Sequence, residues 1–439
     1  MLALGMALCS STAVLHAQNW ETIYDVPTLG GATAVVSDAA GNLYLAGQVR
    51  DTSTSVGRPV IMKSSDGGQS WDSDPSTPDI DDPSDVWNGS GAAYRGLASM
   101  RVSDGAGSFT DHVVVVGTGS RPVTNQLGAF NSNVFIRRSL DSGATWQTID
   151  EYEHPTYENL SGPRVVALDS QGNIYTVIEA LEHIVTTKGK TTTTRRVEHW
   201  IIRKGTTNPD GTVTWNTIDL PFSDTASSVY GYLWQRGIAC VGSDVYIVGA
   251  GGYLGNDWMV IKGRDGGAEW TIADSFRLDA SGPSEAYAIS PDSAGNLYVA
   301  GTASKTVTTG KGRTASTTTT NYWIVRKAAP GGTAWDTVDT FVYPGGTATP
   351  SSVAVDGFNN VHICGRVSSN SVPSHWITRE GSAGGWATTD TYTYANDGGT
   401  TGPNSICADP TGNVFVAGGS WEPTTGNPRN WLVRRKLAP

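Results

Sequence analysis

Charge, cysteine and long apolar runs are all in short supply in this chain. Only 16% of its 439 residues are charged, against about 25% in an ordinary soluble domain, which argues against a charged helical protein. Lys and Arg total 30 against 41 acidic residues, a formal charge of −11. A field of that sign repels polyanions, so nucleic acid is not expected as a partner. Of four cysteines, Cys9 lies in the apolar start, and Cys240, Cys364 and Cys407 are odd in number and far apart. They read as small buried residues rather than a disulfide framework or metal cluster, and no metal or cofactor is expected. Beyond the N-terminus no run of about 18 apolar residues exists, so no membrane span is expected. Residues 1–17, within MLALGMALCSSTAVLHAQ, match the apolar core and cleavage zone of an export signal without its basic n-region. The expectation is a secreted, periplasmic or cell-surface protein whose mature chain is residues 18–439.

Glycine, by contrast, is abundant at 53 residues, and much of it recurs in a repeat. The segments GNLYLAG (41–47), DHVVVVG (111–117), GNIYTVI (172–178), SDVYIVG (243–249), GNLYVAG (295–301), NNVHICG (359–365) and GNVFVAG (412–418) are versions of one strand. Their last residues lie 70, 61, 71, 52, 64 and 53 positions apart, the spacing of a repeat architecture. Each follows a short apolar run and a turn with Asp early and Gly late, the chemistry of a tight strand connection. A third strand comes next, opened by Trp200, Trp258, Trp323, Trp376 and Trp431 in five units. A fourth opens with Trp71, Trp146, Trp215, Trp270, Trp335 and Trp386. The seventh unit stops short of a fourth strand, and residues 19–26 around Trp20 carry its pattern. The prediction is an all-β, seven-bladed β-propeller, one domain, whose N-terminal strand completes the last blade and removes the free edge.

Two of the turns before fourth strands, Ser64 to Trp71 and Ser139 to Trp146, have the form Ser-x-Asp-x-Gly-x-Ser/Thr-Trp. They resemble the Asp-box of BNR or sialidase-type propellers; Arg264 to Trp270 is a partial match. The Asp-x-x-Gly-Asn-x-Tyr-Val-x-Gly segments, such as Asp292 to Gly301, resemble the SBBP-type bacterial propeller repeat. Both likenesses imply a fold, with the Asp-box a folding element on the face opposite the usual active site. Sialidases in addition carry an Arg-Ile-Pro motif, absent here, three Arg for the substrate carboxylate, a Tyr-Glu nucleophile pair and an Asp acid/base.

In a propeller the tight Asp-Gly turns and Asp-boxes share one face, so a site is expected on the other, where loops are long. Trp87, Trp234 and Trp421 fall outside the repeat register and map to that face, where an indole can stack on a sugar ring. Arg95, Arg164 and Arg236 precede the inner strands of blades two, three and four at one register, placing three guanidinium groups on one arc of the channel mouth. Ser351 and Asn404 occupy that register in blades six and seven, and Glu285 lies near it in blade five. Tyr94 and Tyr287 belong to the same loops. The competing reading is that the arginines pair with local carboxylates and tie blades together, as structural ion pairs commonly do.

Three further features are weaker. The loop 72–85 holds six Asp, a composition suited to Ca²⁺ but without EF-hand spacing. His183 and His199 would face each other if the chain turns near Gly189. The Thr-rich inserts 185–196 and 307–320 read as protruding hairpins with basic tips.

The reading these features support is an exported binding module that recognises a glycan or protein ligand on the long-loop face. A glycan-active hydrolase or lyase seating an acidic sugar on the Arg arc is the first alternative, and a scaffold for a cell-surface complex the second. Without catalytic signatures the balance is against an enzyme.

Overall fold

The computed structural model describes residues 20–27, 30–50, 57–72, 92–103, 107, 109–122, 130–154, 158–162, 164–220, 234–251, 257–280, 282–311, 315–369, 372–394, 400–421 and 428–438, none of them helical. Seven antiparallel sheets form the blades of a β-propeller. From the axis outward, each blade begins with an inner strand: Gly30–Ser37, Ala92–Ser103, Val166–Leu168, Trp234–Val241, Ser284–Pro291, Gly346–Val355 and Thr400–Ala408. The outermost strand of blade seven is Trp20–Pro27, which pairs antiparallel with Pro428–Lys436, Trp20 opposite Lys436 and Pro27 opposite Asn430. The ring is therefore closed by hydrogen bonds between the two chain ends, as the repeat count requires.

Two blades depart from four regular strands. Blade one has three among the described residues. Trp71 opens no strand there; Asp72 makes one backbone bond to Lys63 and accepts the Lys63 N–H on its carboxylate at 2.7 Å. The rest of the expected strand lies outside the described residues, in a sequence that soon reaches Pro75, which has no N–H for a ladder. In blade three the inner edge is broken into Glu158–Ser161 and Val166–Leu168, both paired with Ile174–Lys188.

The repeated turn explains its own sequence. Asp38 accepts the N–H groups of Ala40 and Asn42, the Asn42 amide and the Tyr44 hydroxyl, all within 2.9 Å. Asp169, Asp292, Asp356 and Asp409 repeat the pattern of backbone N–H and Asn amide, with Gly41 at φ 85° supplying the left-handed step. The Ser-x-Asp-x-Gly turns close similarly: Asp66 and Asp141 each cap the i+4 N–H and hydroxyl. Those bonds hold the Asp66 carboxyl down at about 2.

Between blades the closing glycine of the repeated strand is the counterpart of the third-strand tryptophan. A Cβ at Gly301 would lie 2.2 Å from the Trp258 ring, at Gly365 2.4 Å from Trp323, at Gly418 2.9 Å from Trp376, and at Gly47 2.9 Å from Trp431. Each ring belongs to the preceding blade and is fully buried. The apolar core is accordingly divided into seven clusters, each shared by two adjacent blades.

A second link is polar. Arg203, Arg326, Arg379 and Arg434, three residues after the third-strand Trp, form buried bidentate pairs with Asp150, Asp274, Asp339 and Asp390 of the preceding blade. Each guanidinium also sits 4.2–4.4 Å over a fourth-strand ring, Tyr152, Phe276, Phe341 or Tyr392. Burial raises the pKa of Asp150 and Asp339 in spite of their Arg partners, so at these two carboxylates the cost of desolvation outweighs the attraction of the arginine. Arg379→Leu alone is expected to cost about 3–5 kcal/mol by leaving Asp339 buried and unpaired, while Asp339→Leu with Arg379→Met recovers most of it. Urea denaturation of the three proteins measures both.

His112 is buried, and desolvation, together with the charge of Arg138, lowers its pKa to about 4. The unfolded chain, with the usual value near 6.5, then binds the proton more readily. This contribution is complete above pH 6.5 and lost as pH falls through 4. The urea midpoint of the protein is expected to fall across that window, and His112→Gln to flatten the fall.

Candidate functional site

A β-bulge recurs in the inner strands at one register. It lies between Ala32 and Ala34, Tyr94 and Gly96, Gln235 and Gly237, Ala286 and Ala288, Pro350 and Ser352, and Pro403 and Ser405. The residue left out of each ladder is Thr33, Arg95, Arg236, Tyr287, Ser351 and Asn404. Blade three has Arg164 in the corresponding place, its carbonyl 2.9 Å from where a Gly96 Cβ would be. A bulge releases one residue from pairing and re-aims its side chain. All seven side chains turn onto an axial cavity of about 680 Å³, a volume typical of small-ligand sites.

The ends of second strands add Gln48, Arg50, Arg366 and Trp421 to the lining. Because inner strands start and second strands end on the long-loop face, the cavity lies toward that face. Five arginines line it, and no carboxylate does among the described residues. Among those residues Arg50, Arg95, Arg164 and Arg366 form no ion pair. Protein walls around the Arg95 guanidinium, and secondly the charge of Arg164, lower its proton affinity. The Arg236 guanidinium stands 5.1 Å over the Tyr287 ring. Tyr287 donates to Glu285 Oε2 at 2.9 Å. Burial, followed by the Glu285 charge, pushes the phenol up to about 12, so it remains a donor at neutral pH.

The structure brings Arg95, Arg164, Arg236, Tyr287 and Trp421 together. Blade five presents Tyr287 at the ring position and not Glu285, which stands two residues earlier and reaches the site only through the tyrosine hydroxyl. Tyr94 departs from expectation. It is buried against Phe135, its hydroxyl accepting from Arg137 at 2.9 Å, because the residue before the bulge stays in the ladder and faces the neighbouring blade. Trp87 lies outside the described residues, and Trp234 is described only as backbone paired with Ala250. Arg50 and Arg366 carried no repeat signal. Tyr287 did: Tyr-Ala-Ile-Ser aligns with Arg-Gly-Leu-Ala and Arg-Gly-Ile-Ala.

The histidine candidate for a metal does not assemble. The hairpin turns at Gly189–Lys190, so His183 opposes Arg196, and His199 opposes Ala180 while meeting Glu182 at 3.2 Å. The acidic loop beyond Asp72 lies outside the described residues, and no group of three metal-ligating side chains occurs among those described. Both Thr-rich inserts are hairpins continuing strands Ile174–Lys188 and Leu297–Thr309 on the long-loop face.

Among solved structures the chain is similar to a protein of unknown function from Dyadobacter fermentans, at 14% identity over 95% of this chain and 99% of that one, with TM-score 0.46. Trypanosoma rangeli sialidase in complex with the inhibitor DANA is 9% identical over 78% of this chain, with TM-score 0.42; the match spans 54% of the sialidase. Penicillium chrysogenum alpha-L-arabinanase complexed with arabinobiose is 12% identical over 94% of this chain and 98% of that one, with TM-score 0.43. No family model matches the chain, and no curated protein is similar to it in sequence.

Arg95 and Arg164, neither in an ion pair among the described residues, repel each other. Arg95→Gln is expected to stabilise the ligand-free protein at low salt by a few tenths of a kcal/mol, in a chain of this length a few tenths of a degree in melting temperature. The gain should vanish near 1 M NaCl, where the Debye length is about 3 Å. Calorimetry at the two salt concentrations checks it.

Proposed function

We propose that the protein is a binding module that takes an acidic saccharide, through a carboxylate or sulfate, in the axial cavity. The observation that carries this reading is the set of five lining arginines with no lining carboxylate among the described residues. Planar guanidinium forks hold carboxylate and sulfate bidentately. Trp421 and Tyr287 in the same lining suit the C–H face of a sugar ring, which a purely inorganic anion would not need. The apolar N-terminal segment supports an extracytoplasmic location, and no described helix is long and apolar enough to cross a membrane.

A second reading, hydrolysis of an acidic glycoside, has one observation in its favour: the Tyr287–Glu285 hydrogen bond beside the Arg arc. It lacks a lining carboxylate to protonate a leaving group among the described residues, and the high phenol pKa opposes a tyrosine nucleophile.

Calorimetric titration with acidic and neutral oligosaccharides tests both readings. Binding of acidic members only, reduced at least tenfold by Arg95→Ala and Arg164→Ala without release of reducing sugar, is the expected result. Binding insensitive to these changes overturns the anion site, and turnover abolished by Tyr287→Phe establishes the enzyme instead.

A further inference from the structure

The five arginines do not form one cluster. Three of them, Arg95, Arg164 and Arg236, come from inner strands or their approach in blades two, three and four. The other two come from second strands, Arg50 from Leu43–Arg50 of blade one and Arg366 from Val361–Ser369 of blade six. Blade seven, between these two, contributes Trp421 from the second strand Val414–Trp421. In a ring of seven, blades six and seven each stand three steps from blade three, the centre of the first set, so Arg366 and Trp421 lie across the axis from it. Both also stand one strand farther from the axis.

Trp421 and Arg366 share a patch. A Cβ on Gly402 would lie 3.2 Å from the Trp421 ring and 3.8 Å from Cδ of Arg366, so the absent side chain at Gly402 leaves the indole and the arginine stem side by side at the cavity wall. The lining residues of the inner strands below them, Ser351, Ser352, Asn404 and Ser405 among them, include none that is charged. Neither Asn404 nor Ser405 adds charge; both bond to blade one, Asn404 to the Ala32 carbonyl at 2.7 Å and Ser405 to the Val35 N–H at 3.1 Å. Arg50 is not part of that patch: Val49 packs with the core shared by blades seven and one, so a strand of period two turns Arg50 toward blade two. The far side is therefore an aromatic platform beside one cation, Arg366.

A single carboxylate can be held by the first set alone. It leaves Arg366, which forms no ion pair among the described residues, without an anion on the far side, in a chain whose net charge of −11 makes a local excess of cations conspicuous. We infer that the cavity contains two anion subsites and takes an oligosaccharide with at least two acidic groups, one on the Arg95–Arg164–Arg236 arc and the other on a ring stacked against Trp421 beside Arg366. This rests on the acidic-saccharide reading above and narrows it to dianionic or polyanionic chains. Uronate and sulfated sugars offer the same anionic chemistry, so the test separates them.

The experiment is a titration of the full chain, at fixed ionic strength, with galacturonic acid, digalacturonic acid and a sulfated uronate disaccharide of the chondroitin type. Heat and Trp fluorescence are followed together. The wild-type protein is expected to bind at least one of the disaccharides ten or more times tighter than galacturonic acid, with a change in Trp emission that Trp421→Phe removes. Preference between the two disaccharides identifies the acidic group. Arg366→Gln, at an exposed position, should lower disaccharide affinity about tenfold and leave galacturonate affinity within twofold; thermal melts confirm folding. Equal affinity for mono- and disaccharides, with Arg366→Gln silent and Arg95→Ala damaging, overturns the second subsite while the single-anion reading stands. Binding of none of the three overturns both.

Discussion

Everything in this molecule depends on contacts between blades, because no blade has a core of its own. A four-stranded sheet has two faces, and the seven apolar clusters each draw on two neighbouring sheets. An open array would leave one face of the first blade and one of the last in water. Pairing of Trp20–Pro27 with Pro428–Lys436 prevents this by tying blade seven to both chain ends, after which Trp431 can fill the space left by Gly47 on blade one. The hydrogen bonds fix the ring, and burial of the indole supplies its share of the driving force.

The polar contacts between blades add specificity to this packing. A tryptophan in a glycine-floored slot tolerates small sliding, whereas a bidentate Arg–Asp pair does not. Blade one shows what replaces it when the arginine is missing: Met62 stands in that position, with the Tyr24 hydroxyl against its sulfur at 3.7 Å. The two kinds of link alternate along the third strand, so that one residue pattern, Trp followed three residues later by Arg, specifies both the packing and the register.

That rigidity is what makes the axial cavity usable. The bulges turn one residue per blade inward at nearly the same level, and the surrounding ladders hold those residues on a fixed ring. Diversity is confined to the side chains: Thr33, Arg95, Arg164, Arg236, Tyr287, Ser351 and Asn404 fill one structural position with five residue types. A basic arc on one side and small polar groups on the other follow from substitution alone, with no change of backbone. The negative balance of the whole chain and the positive lining coexist because many of the carboxylates are engaged in turns on the opposite face or in interblade pairs.

The blade number, the strand order, the terminal closure and the common register of Arg95, Arg164, Arg236, Ser351 and Asn404 were legible in the chain itself. They are local patterns that recur, and recurrence at a period near 62 residues is what exposes them. Non-recurring features were not legible. Arg50 and Arg366 sit at different distances after their motif glycines, Tyr94 differs from Arg95 by one residue and faces the core, and the two histidines miss each other through a turn centred on Gly189–Lys190. In each case the outcome is set by a bulge, a one-residue register or the convergence of distant strands. By itself the sequence determined a ring of seven sheets, because its period and its paired ends admit no other closed packing. Which side chains meet at the axis was decided only by the tertiary structure, since a strand's period of two sends adjacent residues to opposite faces and only the assembled ring shows which face is the cavity.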